Sequence, residues 1–192
     1  MAHIKIAQTQ TPVIDLIKNR WSPRSFMQEE IEQADIDTLL EAASWAPSAN
    51  NEQPWQYIYA QRGTAGFDLI KNCLNGANAS WAKDASVLLV SIARKTFAGN
   101  QQENHSAMHD LGMSNMYLLT QALSMNIYGH MMGGFDKPKL TEALGLNSDQ
   151  EIACVMALGF LDIPEKLEEP FKGRETSARS RKPSSDFAKQ LI

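Results

Sequence analysis

A chain of 192 residues is long enough for one compact domain with a sizeable core and short for two. Its apolar share of 43% and its 11 glycines are those of an ordinary globular protein and exclude a disordered or collagen-like chain. With 18 basic residues against 22 acidic ones the net charge is -4, so nucleic acid is not an expected partner, because affinity for polyanions draws on excess Lys and Arg.

In chain order, Thr11 and Pro12 read as a cap and a first-turn proline opening a helix over 13–19, with Val13, Ile14, Leu16 and Ile17 as its apolar side. Residues 20–26 break it. Ile36, Leu39, Leu40 and Ala43 recur at helical spacing over 34–45, and Pro47 stops that helix. A polar loop over 48–53 leads to Trp55, Tyr57 and Tyr59, whose alternation suits a strand ending near Ala60. A helix over 67–73, a buried strand over 85–93, a long central helix over 106–124 and a short strand over 127–132 follow. Gly133 and Gly134 mark a turn that needs special backbone angles or close approach. Asp136 caps a short helix ending near Gly145, and the apolar run 152–160 is another buried strand.

Helices and strands that mix without regular βαβ alternation predict an α+β fold, a central mixed sheet surrounded by helices. No linker or repeat divides residues 1–192, which read as a single domain. Beyond Leu161 the sequence turns polar, with three prolines and a basic run, Lys172, Arg174, Arg179, Arg181 and Lys182, around Glu175. Residues 162–192 are expected to wrap as an extended arm. Two cysteines, Cys73 and Cys154, make neither a disulfide framework nor a zinc spacing, and point to a reducing cytoplasm. The longest apolar stretch, 85–93, is about half of what spans a bilayer, so no membrane partner is expected. The opening MAHIKIAQTQ lacks the apolar core of a secretory signal.

Three segments carry candidate chemistry. Arg20, Ser22 and Arg24 set a hydroxyl between two guanidiniums, a donor set suited to phosphate or a carbonyl. Surface arginines after a helix are the plainer explanation. The loop Pro47-Ser48-Ala49-Asn50-Asn51-Glu52-Gln53-Pro54 presents neutral donors and acceptors between two prolines, as a heterocycle with amide-like edges would require, although turn residues between a helix and a strand look similar. Arg179 and Arg181 repeat the cationic theme at the far end of the chain. His105 and His109 are four apart but have neither the glutamate of a zinc-protease motif nor an evident third ligand, so no metal is expected. Neither paired catalytic carboxylates nor a Ser-His-Asp arrangement can be assigned.

In this order and spacing the segments resemble the nitroreductase family of FMN-dependent oxidoreductases. Residues 20–24 resemble its opening Arg-Arg-Ser-x-Arg motif, and residues 46–55 its Ala-Pro-Ser-x-x-Asn-x-Gln-Pro-Trp loop. Asn78 and the strand after it, Asp110-Leu111-Gly112, Gly133-Gly134-Phe135 and Leu158-Gly159-Phe160 extend the likeness over nearly the whole chain. The resemblance implies FMN as cofactor, NADH or NADPH as donor and a nitroaromatic, quinone or other conjugated small molecule as acceptor, by a ping-pong mechanism in which no side chain acts as nucleophile. It implies a homodimer with the arm over the partner. Arg20, Trp21, Ser22 and Arg24 would surround the phosphate, ribityl chain and pyrimidine edge. Pro47, Ser48, Ala49, Asn51 and Gln53 would come from the partner, Asn78, Gly133 and Gly134 would approach the ring, and Arg179 and Arg181 would close on the phosphate. Trp21 departs from the motif's second basic residue, and Trp81 stands where some members carry a lysine near the ring. The same scaffold would also suit enone reduction, dehydrogenation or dehalogenation, or a non-catalytic flavin-binding module.

Overall fold

The computed structural model describes residues 2–192. A short helix α1 (Ala2–Lys5) is followed by α2 (Asp15–Asn19), α3 (Gln33–Ser44), β1 (Trp55–Gln61), α4 (Ala65–Lys71), α5 (Gly76–Ala82), β2 (Val87–Arg94), α6 (Ala107–Ser124), β3 (Tyr128–Met132), α7 (Lys137–Ala143), β4 (Gln150–Gly159) and α8 (Phe171–Thr176). The strands form one sheet in the order β1-β2-β4-β3. The fold is α+β as the sequence predicts, but all three strand pairs are antiparallel, so this sheet is not mixed. The connection from β1 to β2, through α4 and α5, is long enough for either direction, which is why element order alone does not fix the pairing.

Side chains on the sheet alternate between two cores. Leu88, Val90, Ile92, Val155 and Ala157 pack on one face with Phe67, Ile70, Trp81 and Leu140. Val87, Leu89, Met156 and Leu158 pack on the other with Ile36, Leu39, Leu118, Leu119 and Ala122. Because both faces of β2 are covered, its residues 87–93 are apolar except for buried Ser91 rather than alternating. A bulge at Ala153 shifts the register between β2 and β4, so that Ser91 faces Cys154 while Ile92 faces Ile152.

Two local expectations change. Helix α2 starts at Asp15 with Ile14 as its cap residue, not at Val13 after Thr11-Pro12. Val13 and Ile14 are β-branched and favour extended backbone, while Asp15 favours a helix N-terminus electrostatically. Helix α5 carries no strong apolar period and was not expected; it is started by Asn75, whose Oδ1 accepts from the Asn78 amide at 2.9 Å. No helix among the described residues is long and apolar enough to cross a membrane.

The start and the end of the chain meet at the sheet. Phe26 bridges Leu161, the Met27 amide donates to the Phe160 carbonyl at 2.9 Å, and the Asp162 amide donates to that of Ser25 at 3.1 Å. A Cβ on Gly159 would lie 2.7 Å from the Phe26 ring, so the glycine is what lets this segment close on β4. The first part of the arm, expected to be extended, instead packs on its own chain. It returns through α8, whose Glu175 is buried against Arg24.

Candidate functional site

The opening motif is fixed by its neighbours before any ligand is considered. Pro23 is buried, and its carbonyl accepts from His130 Nδ1 on β3 at 2.9 Å. Because a carbonyl only accepts, Nδ1 carries the proton in this pair. Burial, the largest cause, together with Arg24 and Arg20, pushes the imidazole down to about 4 despite the stabilising Pro23 carbonyl. His130 is therefore neutral at pH 7. Its ring lies 4.6 Å from that of Trp81, which also meets Phe26 and sits under the Arg24 guanidinium at 5.9 Å. Trp81 is thus a buried packing residue, with its Nε1 proton lacking a partner among the described residues.

The two cationic ends of the chain do come together. Arg179 Nη1 donates to the Lys18 carbonyl at 2.7 Å, two residues before Arg20. Burial first, then Arg179 and Arg181, lowers the Arg20 guanidinium from its ordinary value, and Arg179 is lowered by burial and by Arg181. Arg20 Nη1 reaches Ser22 Oγ at 3.4 Å. Among the described residues none of these three arginines has a carboxylate at ion-pair distance. Beside Arg179 and Arg181 runs a groove of about 380 Å³ between residues 7–13 and the arm, with no acidic residue in its wall. Uncompensated guanidiniums with a hydroxyl are the donor set of an anion site, and a phosphate fits it.

Arg24 is different. Its Nη1 lies 3.3 Å from Glu175 Oε1, and Glu175 is only 3% exposed. Burial raises that carboxyl, while Arg24 and Lys5 pull it back toward the charged form. Of the two motif arginines, Arg20 therefore carries the charge that no carboxylate balances.

The loop over 48–53 is built under strain. Asn50, Asn51 and Gln53 take φ of 53°, 56° and 52°, in the left-handed region that asparagine tolerates and glutamine rarely adopts. Several contacts hold it. The Ala49 amide donates to buried Asp110 Oδ2 at 3.0 Å, and the Gln53 amide to Ser48 Oγ at 3.0 Å. Glu52 Oε1 pairs with Arg94 and accepts from the Ala98 amide at 2.8 Å. Pro47, Asn51 and Gln53 are exposed, Ser48 and Ala49 half-buried. Among the described residues no hydrogen bond or ion pair joins this loop to Arg20, Ser22, Arg24, Arg179 or Arg181. Among the described residues the two halves of the predicted site are therefore not tied directly to each other.

Gly133 and Gly134 have ordinary φ, so neither is required by backbone angle, and only Gly134 makes a close approach. A Cβ on Gly134 would lie 2.3 Å from Asn75 Nδ2 and 2.8 Å from Asn78 Nδ2. The Gly134 carbonyl accepts from Asn78 Nδ2 and from the Asn75 amide, both at 3.0 Å, so Asn78 positions the glycine pair. Gly133 faces open space. Trp21, beside Arg20, is half-buried under the Lys5 ammonium.

Glu175, Lys5, Asp110, Glu52 and His130 were not predicted from the sequence. Glu52 and Asp110 lie inside segments that the sequence singles out, and Glu175 is the one acid inside the basic run of the arm, but none of the three had a role to mark it.

The Nitroreductase family model matches residues 17–66 and 71–160. Among curated relatives, the Bacillus subtilis protein named "Putative NAD(P)H nitroreductase YfhC" is 26% identical over 84% of this chain and 92% of its own. Among solved structures, an oxidoreductase containing FMN is 32% identical with a TM-score of 0.91, covering 95% of this chain and 93% of the other. A nitroreductase family protein from Clostridium difficile 630, 19% identical, shares the fold with a TM-score of 0.71 over 92% of this chain and 96% of the other.

Proposed function

Because the chain belongs to the nitroreductase family, we propose that it is an FMN-dependent oxidoreductase. It moves electrons from NADH or NADPH to a nitroaromatic, quinone or similar conjugated acceptor, as a cytoplasmic homodimer. The observation that carries this reading is the meeting of Arg20, Arg179 and Arg181 without a carboxylate partner among the described residues, the chemistry a phosphate-bearing cofactor requires.

When bound, FMN would supply the two-electron redox chemistry between nicotinamide and acceptor. The chain's own residues seat it. Arg20 with Ser22, and Arg179 with Arg181, hold the phosphate and the chain next to it. Gly133, with open space over its Cα, admits a flat ring against the backbone, and Asn78 keeps that backbone in place. Negative charge at the pyrimidine edge on reduction would be stabilised by a nearby guanidinium, and of the two motif arginines Arg24 is the one left for that edge, since Arg20 lies with Arg179 and Arg181. The loop over 48–53 reaches the ring of the partner's site.

The test is an absorption spectrum of the purified protein, followed by anaerobic titration with NADH and with NADPH and by an acceptor panel. A yellow protein with one FMN per chain that either nucleotide bleaches is expected. A colourless protein that takes up no added FMN overturns the reading.

A further inference from the structure

Three guanidiniums without a carboxylate repel one another, so other contacts must hold the arm against the opening motif. Lys5 Nζ donates to the Arg174 carbonyl at 2.5 Å and to the Ser177 carbonyl at 2.7 Å, at the C-terminal end of α8 where the helix's partial negative charge collects. Arg179 Nη1 returns the tie, donating to the Lys5 carbonyl at 2.9 Å as well as to that of Lys18. Lys5 is 7% exposed, rare for a lysine unless it is paired. Its ammonium lies 5.0 Å from the centre of the Trp21 ring, a cation–π distance. Trp21 stands where the family resemblance leads one to expect a second basic residue. Here it receives its cation from the N-terminal segment instead.

We propose that Lys5 is a positioning residue of the anion site: seated on Trp21 and clamping the end of α8, it holds Arg179 and Arg181 beside Arg20. The ligand in this inference rests on the FMN reading; the clamp itself rests on the Lys5 contacts.

Lys5→Met keeps most of the side-chain length and removes the charge and the donors. FMN affinity of the full-length protein, read by flavin fluorescence, is expected to fall at least about tenfold. Lys5→Arg is expected to recover most of it. The midpoint potential of the bound flavin should stay at the wild-type value, because both oxidation states carry the same phosphate. Without FMN, trypsin should cleave after Arg174 and Arg179 faster in Lys5→Met than in wild type or Lys5→Arg. Wild-type affinity and wild-type cleavage in Lys5→Met overturn the clamp, as does a shifted potential with unchanged cleavage. A wild-type protein that binds no FMN overturns the functional reading instead, and the trypsin comparison still decides the clamp. If Lys5→Met does not fold, Lys5→Gln keeps a donor for one carbonyl and is judged by the same comparisons with a smaller expected loss.

Discussion

Arg24 and Arg181 are both arginines of the predicted site, yet their surroundings give them opposite sensitivities. Removing Arg24 leaves buried Glu175 with only Lys5 as a nearby cation, and breaking such a pair costs about 3 kcal/mol, at the low end for buried ion pairs because Arg24 itself stays partly open to solvent. Arg24→Ala is therefore expected to lower unfolding stability by that order in urea titrations, with Glu175→Gln in the same background returning part of the loss. An unchanged midpoint would show that the pair contributes nothing. Among the described residues the side chain of Arg181 bonds only the carbonyl of neighbouring Ser180. Arg181→Ala should leave stability unchanged and weaken FMN by roughly 1.5–3 kcal/mol, about tenfold to hundredfold, equally in both oxidation states. A large shift in flavin potential in Arg181→Ala would move this residue from the phosphate to the ring. The arginines were legible in the sequence because a cationic cluster needs no partner to be noticed. Glu175 and Lys5 were not, since their partners lie 151 and more than 160 residues away and only the fold joins them.

Among elements, those with a strong period were readable: α3 and α6 from helical spacing, β2 and β4 from short apolar runs. The sheet's antiparallel pairing and α5 were not, since neither leaves a periodic trace. Strand β3 ties its end of the sheet to the opening motif through His130, and that tie has a pH signature. An unfolded histidine titrates near 6.5, and His130 titrates at about 4 in the fold because burial disfavours its charge. Below pH 6.5 the unfolded chain takes up a proton that the folded chain refuses until pH 4, so stability falls as pH falls through that window, by up to about 3 kcal/mol. Unfolding midpoints from pH 7 to pH 4 should fall less steeply in His130→Gln than in wild type, and equal slopes would exclude His130 as the cause. The turn after β3 separates two neighbouring glycines. Gly134→Ala meets the Asn75 and Asn78 amides and should destabilise the protein by roughly 1–3 kcal/mol. Gly133→Ala meets nothing within 4 Å. It should keep its thermal midpoint without flavin and lose FMN affinity, whereas undiminished FMN binding would place the ring elsewhere.

At the scale of the whole molecule, the protomer leaves apolar surface that its own core does not use. Helix α2 buries none of its residues, with Ile17 59% and the preceding Ile14 62% exposed, and it packs beside α6, where Tyr117 is 47% exposed and Met108 and Met116 are also open. An exposed apolar face of this kind marks an association surface. Asp110, in the first turn of α6, holds the loop over 48–53 through the Ala49 amide. A second copy lying along α6 would therefore meet that loop as well, which gives the proposed dimer and the proposed two-chain flavin site one common cause. An isologous interface doubles every change, because each substitution appears on both sides. A lysine at position 117 would put two charges into one apolar seam while touching little of the protomer's core. Tyr117→Lys is accordingly expected to sediment at half the mass of the wild-type protein and to lose its bound flavin, with far-ultraviolet circular dichroism unchanged. A wild-type protein that sediments as a monomer with FMN bound would overturn the dimer. A Tyr117→Lys monomer that keeps its flavin would show that one chain suffices to build the site.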